Sequence, residues 1–184
     1  SIKELLKKIE IGTVIKQDIL EKRAKIVYLG IGSNLGNKFI NIEKAKIKLI
    51  ENQIEIIKSS SYYETLSWPN PNYPKFLNIV LKIKTRLDVA SLLKICKQIE
   101  QSLGRKKTVK NSPRECDIDI LDFDNKICDI KSINLPHLRM HKRNFVLIPL
   151  FEINKNWIHP KSQHHIKYLI FSLSNADITS IKQI

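Results

Sequence analysis

The chain has 184 residues, enough for one domain with a buried core. Its 32 Lys and Arg residues against 18 Asp and Glu give a net charge of +14. Such a charge is compatible with nucleic acid, anionic lipid or nucleotide partners and does not distinguish among them. The absence of a long apolar run argues against a membrane span or a signal peptide. Three widely spaced cysteines without a Cys-x-x-Cys pair fit reduced thiols, so we expect a cytoplasmic protein.

The first part of the chain is predicted to be an amphipathic helix over residues 1–23, broken at Gly12. Its apolar positions recur at helical spacing, at Ile2, Leu5, Leu6 and Ile9. No residue of this helix suggests chemistry. We therefore interpret 1–24 as a helical extension or linker and 25–184 as the functional domain.

A first strand is predicted over residues 26–32, because a continuous apolar run is typical of a strand covered on both faces. Asn37 is placed to cap a helix over about 38–51. The glycines of this region resemble a dinucleotide fingerprint only superficially, since their spacing is one residue too long and no acidic residue follows at the expected offset. A Rossmann site is therefore not predicted.

A second strand is predicted over 54–62, then a stiff Pro-rich loop over 68–74, then a third strand over 76–85. The third strand alternates, so that its core-facing residues are Leu77, Ile79, Leu81 and Ile83. Phe76 and Asn78 face the other way. An aromatic plane beside an amide that both donates and accepts suits a planar heterocycle, although an exposed Phe alone is unremarkable.

A third helix is predicted from its cap at Asp88 to Gly104, with a buried stripe of Val89, Leu92, Leu93, Cys96, Ile99 and Leu103. A basic loop and then a strand follow. On that strand Asp117 and Asp119 share one face, roughly 6–7 Å apart. Such a pair can hold hard divalent cations that keep positions open for phosphate oxygens, although Asp-x-Asp also occurs at solvated strand ends. The basic loop 105–110 and Arg114 supply the positive charge that a polyphosphate needs. They therefore favour a metal site that serves phosphoryl transfer over a solvated strand end.

The end of the chain is predicted to be helical from Met140 and again over about 164–173. Three histidines near the end of the chain, His159, His164 and His165, are interpreted as surface residues rather than metal ligands. The order of elements predicts an α+β fold, a ferredoxin-like βαββαβ sheet covered by helices, with extra C-terminal helices. The fold by itself names no activity.

Four ordered segments make the chain resemble the 6-hydroxymethyl-7,8-dihydropterin pyrophosphokinase family. They are Tyr28 to Gly36, then Ser60 to Thr65 with Tyr73 to Asn78, then Leu103 to Ile120, and finally Leu135 to His137 with Arg143 to Leu150. The run Pro-Arg-x-x-Asp-x-Asp, beginning at Pro113, is nearly diagnostic. The resemblance implies an enzyme of folate biosynthesis that moves the diphosphate of ATP onto the hydroxymethyl group of a reduced pterin, leaving AMP.

The resemblance also implies roles for individual residues and two Mg²⁺ ions as cofactors, with ATP as co-substrate. Asp117 and Asp119 would bind the two ions. Catalytic roles would fall to Arg105, Lys107, Asp117 and Asp119, and ATP binding to Lys110, Arg114, Ile120, His137 and Arg143. Pterin binding would fall to Thr65, Leu66, Trp68, Phe76, Asn78 and Phe145. Lys107 and Lys110 depart from the family, which commonly has Arg there, exchanging a planar fork for a point charge.

Two other hypotheses stay open at this point. One is a basic RNA-binding module, since RNA-recognition sheets stack bases on aromatic side chains of their central strands, although the two aspartates here would repel phosphate. The other is an inactive relative within a larger folate-pathway polypeptide. We expect ATP and a reduced pterin as partners, no nucleic acid or membrane, and leave room for covalent fusion to a neighbouring folate-pathway domain.

Overall fold

The computed structural model describes residues 1–106, 109–130 and 133–184, and for 14–21 the backbone alone. Its helices are α1 (Ile2–Lys22), α2 (Lys38–Glu51), α3 (Val89–Ser102), α4 (Asn144–Ile153), α5 (Ile166–Phe171) and α6 (Asn175–Ser180). A short 3-10 helix, Met140–Lys142, precedes α4. Its strands are β1 (Lys25–Ser33), β2 (Glu55–Ser59), β3 (Tyr63–Thr65), β4 (Phe76–Thr85), β5 (Asp117–Phe123), β6 (Cys128–Ile130), β7 (Ile133–Leu135) and β8 (Lys182–Gln183).

The main sheet is antiparallel and has six strands in the described part of the chain. Its order is β5-β1-β4-β3-β8, and β2 also pairs with β4. β1 and β4 are therefore central, and α2 and α3 provide the two connections of a split βαβ unit. The predicted ferredoxin-like α+β class is confirmed. The predicted strand over 54–62 is wrong in detail, because β2 ends at Ser59, Ser60 still donates to the carbonyl of Val80, and the chain pairs with β4 again as β3.

Alternation along the strands gives the sheet two different faces. One face packs against α2 and α3, and its buried side chains include Leu29, Ile79 and Ile118. The opposite face packs against α4 and α5 through a second cluster that includes Val80 and Leu147. Because α4 covers only part of this second face, the rest of it is open to a ligand.

A register shift in the pairing of β1 with β5 determines which of the two cores the last residues of β5 join. Tyr28 pairs with Asp122 while Leu29 pairs with Ile120, so Leu121 is the extra residue. Leu121 accordingly packs in the second cluster, whereas Phe123 returns to the first. Both residues are buried, but their assignment to opposite faces depends on a bulge that the alternation of side chains does not reveal.

Three local predictions are wrong. Gly12 does not break α1, which runs without interruption from Ile2 to Lys22. His159 is buried rather than on the surface. A tight turn surrounds its ring, and its Nδ1 accepts hydrogen bonds from the backbone N–H groups of Lys161 and Ser162. The helix predicted over 164–173 is the shorter α5. Within the described residues, no helix combines the length and apolar character that crossing a membrane requires.

Candidate active site

A cavity of about 1220 Å³ opens on the uncovered part of the second sheet face. Its floor is made by β1, β4 and β5, and its walls by the Pro-rich loop, the basic loop, the start of α4 and α6. Gly30 pairs directly with Asp119 and Gly32 with Asp117, so the strand beside the two acids presents no side chains above the sheet. The glycines of β1 thus leave room for a ligand next to the carboxylates.

The acidic end of the cavity is formed by Asp117 and Asp119, which lie on one face of β5 as alternation predicted. Arg105 Nη1 lies 2.8 Å from Asp117 Oδ1, and Arg114 Nη1 lies 3.5 Å from the same oxygen. On the other acid, Arg143 Nη1 lies 3.4 Å from Asp119 Oδ2. Each carboxylate is thus flanked by guanidinium groups that can also contact the phosphates of a nucleotide.

His137 completes the acidic end of the cavity. Its Nε2 lies 3.8 Å from Asp119 Oδ2, and its Nδ1 accepts a hydrogen bond from the backbone N–H of Arg139. Burial, and then the charge of Asp117, raise the pKa of Asp119, while burial lowers the pKa of His137. Asp119 is therefore repelled by Asp117, and the neighbouring positive charge of Arg143 opposes this rise in its pKa.

The donor set at the acidic end fits magnesium. Among the described residues, no group of three or more His, Cys, Asp or Glu side chains could hold a metal ion. The site offers the two carboxylates of Asp117 and Asp119, with the His137 imidazole 3.8 Å from Asp119 Oδ2. Mg²⁺ prefers this arrangement, because it is usually bound by one or two carboxylates together with substrate phosphates and water.

Glu100 is a functional candidate that sequence reasoning missed. It lies on α3, 1% exposed, and its Oε1 accepts a hydrogen bond of 2.8 Å from the backbone N–H of Ile118 on β5. Its Oε2 lies 2.5 Å from Arg105 Nη1, which holds that guanidinium beside Asp117. Burial raises the pKa of Glu100. A glutamate beside Ile99 in an apolar stripe was the signal that could have revealed it.

The aromatic end of the cavity is formed by Thr65, Phe76, Asn78 and Phe145. Asn78 Nδ2 donates a hydrogen bond of 2.9 Å to Thr65 Oγ1, which fixes the orientation of the amide. The guanidinium of Arg143 lies over the Phe145 ring, 5.4 Å from its centroid, and so joins the aromatic end to the acidic end. Leu66 and Trp68 form an exposed rim in the Pro-rich loop.

Asn34, buried directly after β1, holds the two ends of the cavity together. Its Nδ2 donates to Ser67 Oγ and to the carbonyl of Pro74, at 3.1 and 3.2 Å. Its Oδ1 accepts a hydrogen bond of 2.8 Å from the backbone N–H of Arg114. One side chain therefore joins the Pro-rich loop to the segment that leads into the acidic strand.

Replacing Asn34 by alanine should destabilise the protein by about 3 kcal/mol, because it leaves buried donors and acceptors without partners. Asn34→Ala and Asn41→Ala should be compared by urea denaturation. Asn41 donates to the carbonyl of Leu35 in a partly exposed site, so its loss should cost only about 1 kcal/mol. Equal effects of the two substitutions would contradict the role of Asn34 in joining the Pro-rich loop to the segment that leads into β5.

The cavity brings together almost all of the residues that the family resemblance singled out. Those lining it are Arg105, Asp117, Asp119, Lys110, Arg114, His137, Arg143, Thr65, Leu66, Trp68, Phe76, Asn78 and Phe145. Lys107 lies outside the described residues. Ile120 is not brought into the cavity, because its side chain belongs to the core on the opposite face of β5. Only its backbone is therefore available to a nucleotide.

Residues 28–155 match the family model of 7,8-dihydro-6-hydroxymethylpterin-pyrophosphokinase (HPPK). The chain belongs to this family. An HPPK of Aquifex aeolicus is 45% identical over 134 residues, covering 73% of this chain and 83% of that protein. An HPPK of Bacillus subtilis is 38% identical over 129 residues, covering 70% and 77%. The predicted family and the predicted reaction, diphosphate transfer from ATP to the hydroxymethyl pterin in folate biosynthesis, are confirmed.

Other HPPK relatives are longer than this chain. The folic acid synthesis protein fol1 of Schizosaccharomyces pombe is 36% identical over 155 residues, covering 84% of this chain but 21% of that protein. A Plasmodium falciparum HPPK-DHPS structure shares the fold, with a TM-score of 0.67 at 16% identity, and covers 89% of this chain and 47% of that one. The chain thus spans less than half of these proteins, which is compatible with the predicted possibility of fusion.

Proposed function

We propose that the cavity binds ATP with two Mg²⁺ ions at its acidic end and the reduced pterin at its aromatic end. The observation that carries this proposal is the joint presence of a carboxylate pair and an aromatic–amide pair in one cavity of a chain that belongs to the HPPK family. The ions would be held by Asp117 and Asp119. When bound, they would neutralise the charge that develops on the transferred diphosphate.

On the nucleotide side, the basic side chains around Asp117 and Asp119 would contact the phosphates of ATP. Five such side chains line the cavity within reach of its acidic end, namely Arg105, Lys110, Arg114, His137 and Arg143. The guanidinium groups suit phosphate oxygens because they offer several donors in one plane. Glu100 would keep Arg105 oriented, and Lys107 stays a prediction from the family resemblance.

On the pterin side, Phe76 and Phe145 would contact the faces of the ring, and Asn78 and Thr65 its polar edge. Leu66 and Trp68 would close over the ring from the Pro-rich loop. A flat ring with donors and acceptors on its edge matches an aromatic wall beside a fixed amide. The hydroxymethyl group would then point from the aromatic end towards the phosphates.

The reaction needs little covalent chemistry from the protein. The hydroxymethyl oxygen attacks the β-phosphorus of ATP, the bond between that phosphorus and the oxygen bridging it to the α-phosphate breaks, and AMP leaves while the hydroxyl proton passes to water. The cationic side chains stabilise the charge on the departing AMP. Positioning and electrostatics supply most of the rate enhancement in such transfers. We place this reaction in the cytoplasm, with residues 1–24 as an extension outside the catalytic domain.

Removing metal is the direct test of the proposal. With ATP and 6-hydroxymethyl-7,8-dihydropterin, the wild-type chain should form AMP, chelation with EDTA should lower the rate by at least about 10³-fold, and added Mg²⁺ should restore it. AMP should not form when the pterin is omitted. Folded protein without any AMP formation would instead support the inactive relative.

A filter-binding assay with single-stranded RNA distinguishes the RNA-binding module from the enzyme. The enzyme predicts weak RNA binding that arises only from its net charge of +14 and weakens steeply with salt. Tight binding together with an absence of ATP turnover would favour the RNA module and contradict the proposed function.

A further inference from the structure

A strap formed by residues 174–184 runs across the aromatic end of the cavity. It consists of α6 and β8, and it lies beyond the residues 28–155 that the family model matches. Asp177 and Ser180 of the strap line the cavity on the side of Phe145. The strap is therefore part of the wall beside the proposed pterin site.

Asn144, the first residue of α4, connects the strap to Phe145. Its Nδ2 donates a hydrogen bond of 2.6 Å to the carbonyl of Asp177 and lies 3.3 Å from Ser180 Oγ. Its Oδ1 accepts a hydrogen bond of 2.7 Å from the backbone N–H of Phe145. The amide orientation is unambiguous, because the Phe145 N–H can only donate and the Asp177 carbonyl can only accept.

Both groups that Asn144 contacts lie at helix ends, and the Asp177 carbonyl also accepts a hydrogen bond of 3.2 Å from Ser180 Oγ. The carbonyl of Asp177 is among the last four of α6, and the N–H of Phe145 is among the first four of α4. One side chain thus caps the end of one helix and the start of another. The position of Phe145 is coupled to the position of α6 as a result.

The other end of the strap is attached to the strand that carries Thr65. β8 pairs with β3 through Gln183 opposite Tyr63 and Lys182 opposite Glu64, and the N–H of Ile184 donates to the carbonyl of Tyr62. Thr65 is the next residue of β3 and holds Asn78. The strap therefore joins the start of α4, beside Phe145, to strand β3.

The far end of α4 is attached to the same region without the strap. Glu152 accepts hydrogen bonds from the N–H and hydroxyl of Ser61 and from the hydroxyl of Tyr63. Glu152 fixes the C-terminal end of α4 against β3, whereas the start of α4, beside Phe145, is held by the packing of Val146 and Leu147 on the sheet and by the contacts of Asn144 with the strap.

We propose that Asn144 is a positioning residue that, through the strap 174–184, sets the distance between Phe145 and the strands that carry Thr65 and Asn78, and thereby the fit of the pterin ring. This inference rests on the proposed pterin site. Asn144 does not touch the transferred phosphates in this role. Its loss should weaken pterin binding and leave the chemical step and ATP binding largely unchanged.

Two substitutions of Asn144 distinguish the effect of its contact with the strap from the effect of its hydrogen bond with the Phe145 N–H. Asn144→Ala removes both contacts and should raise the KM for the pterin about fivefold, with kcat and the KM for ATP within about twofold of wild type. Asn144→Asp keeps the oxygen that accepts from Phe145 N–H but places a second oxygen against the carbonyl of Asp177. It should therefore raise the KM at least as much as alanine does, despite its nearly identical shape.

The matched control is Asn52→Ala, which removes a single hydrogen bond to the carbonyl of Lys48 at the end of α2, on the other side of the sheet. It should leave the KM for the pterin unchanged. Deletion of 174–184 should raise this KM as well, and Asn144→Ala should add nothing further in the deleted chain, because coupled changes are not additive. Ser180→Ala removes the longer contact of Asn144 and also the hydrogen bond from Ser180 Oγ to the Asp177 carbonyl. It should have a smaller effect than Asn144→Ala and serves if the Asn144 variants fail to fold.

The outcomes separate this inference from the proposal it depends on. A wild-type chain without pterin-dependent AMP formation would overturn the proposed function and this inference together. An active wild type with a normal pterin KM in Asn144→Asp would overturn the inference alone. Additive effects of Asn144→Ala and the deletion would overturn it too, since Asn144 would then act independently of the strap.

Discussion

Replacing Asp117 by asparagine should lower kcat for AMP formation by about 10³-fold or more, equivalent to roughly 4 kcal/mol of transition-state stabilisation. Asparagine keeps the size of the side chain and removes its charge, so one of the two proposed metal ligands is lost without a cavity in β5. The guanidinium groups of Arg105 and Arg114 would also lose the carboxylate that they contact at 2.8 and 3.5 Å. Initial rates at saturating ATP, pterin and Mg²⁺ measure the effect.

Asp129→Asn is the control for this substitution. Asp129 lies on β6, outside the cavity, where it forms a half-exposed ion pair with Lys161. Such pairs contribute little to stability, so the rate of this variant should stay within about twofold of wild type. An Asp117→Asn enzyme that is folded and retains a rate within a few-fold of wild type would remove the proposed metal role of Asp117.

A methyl group added at Gly32 should disrupt pterin binding with little effect on ATP. Its Cβ would lie 2.9 Å from Asn78 Oδ1 and 3.3 Å from Phe76 Cδ1. Asn78 cannot simply move aside, because Thr65 accepts a hydrogen bond from its amide. Overpacking of this kind costs about 1–3 kcal/mol, so the KM for the pterin in Gly32→Ala should rise by about tenfold or more.

Gly30→Ala is the matched comparison on the same strand. A Cβ at Gly30 would meet Leu121 at 3.5 Å, an ordinary van der Waals contact, and it would stand two residues from the amide. Its effect on the pterin KM should be clearly smaller than that of Gly32→Ala, with titration of pterin at saturating ATP as the measurement. Equal effects at the two positions would mean that Asn78 and Phe76 do not form the pterin site.

The local patterns of the sequence predicted most of the fold, whereas most residues of the cavity were predicted from the family resemblance. Alternation in β4 and β5 separated Leu77 and Ile118, which are buried, from Asn78 and Asp119, which line the cavity. Because the period of a strand is two, these assignments need no knowledge of distant residues. The caps at Asn37 and Asp88 were equally local and are confirmed.

The rest depends on contacts between residues far apart in the chain. Glu100 is buried because it accepts a hydrogen bond from β5, and His159 because a turn surrounds its ring. Asn34 and Asn144 owe their roles to partners 33 or more residues away. An apolar or polar pattern cannot reveal such pairings, since they arise only when the strands and helices have been placed.

A crystal structure of the wild-type protein with a non-hydrolysable ATP analogue, Mn²⁺ and the hydroxymethyl pterin tests the central claim most directly. The account predicts two anomalous peaks, each within about 2.2 Å of a carboxylate oxygen of Asp117 or Asp119 and of a phosphate oxygen, with the pterin ring between Phe76 and Phe145. Peaks that contact phosphate oxygens but neither aspartate, or a pterin bound away from Asn78, would contradict it.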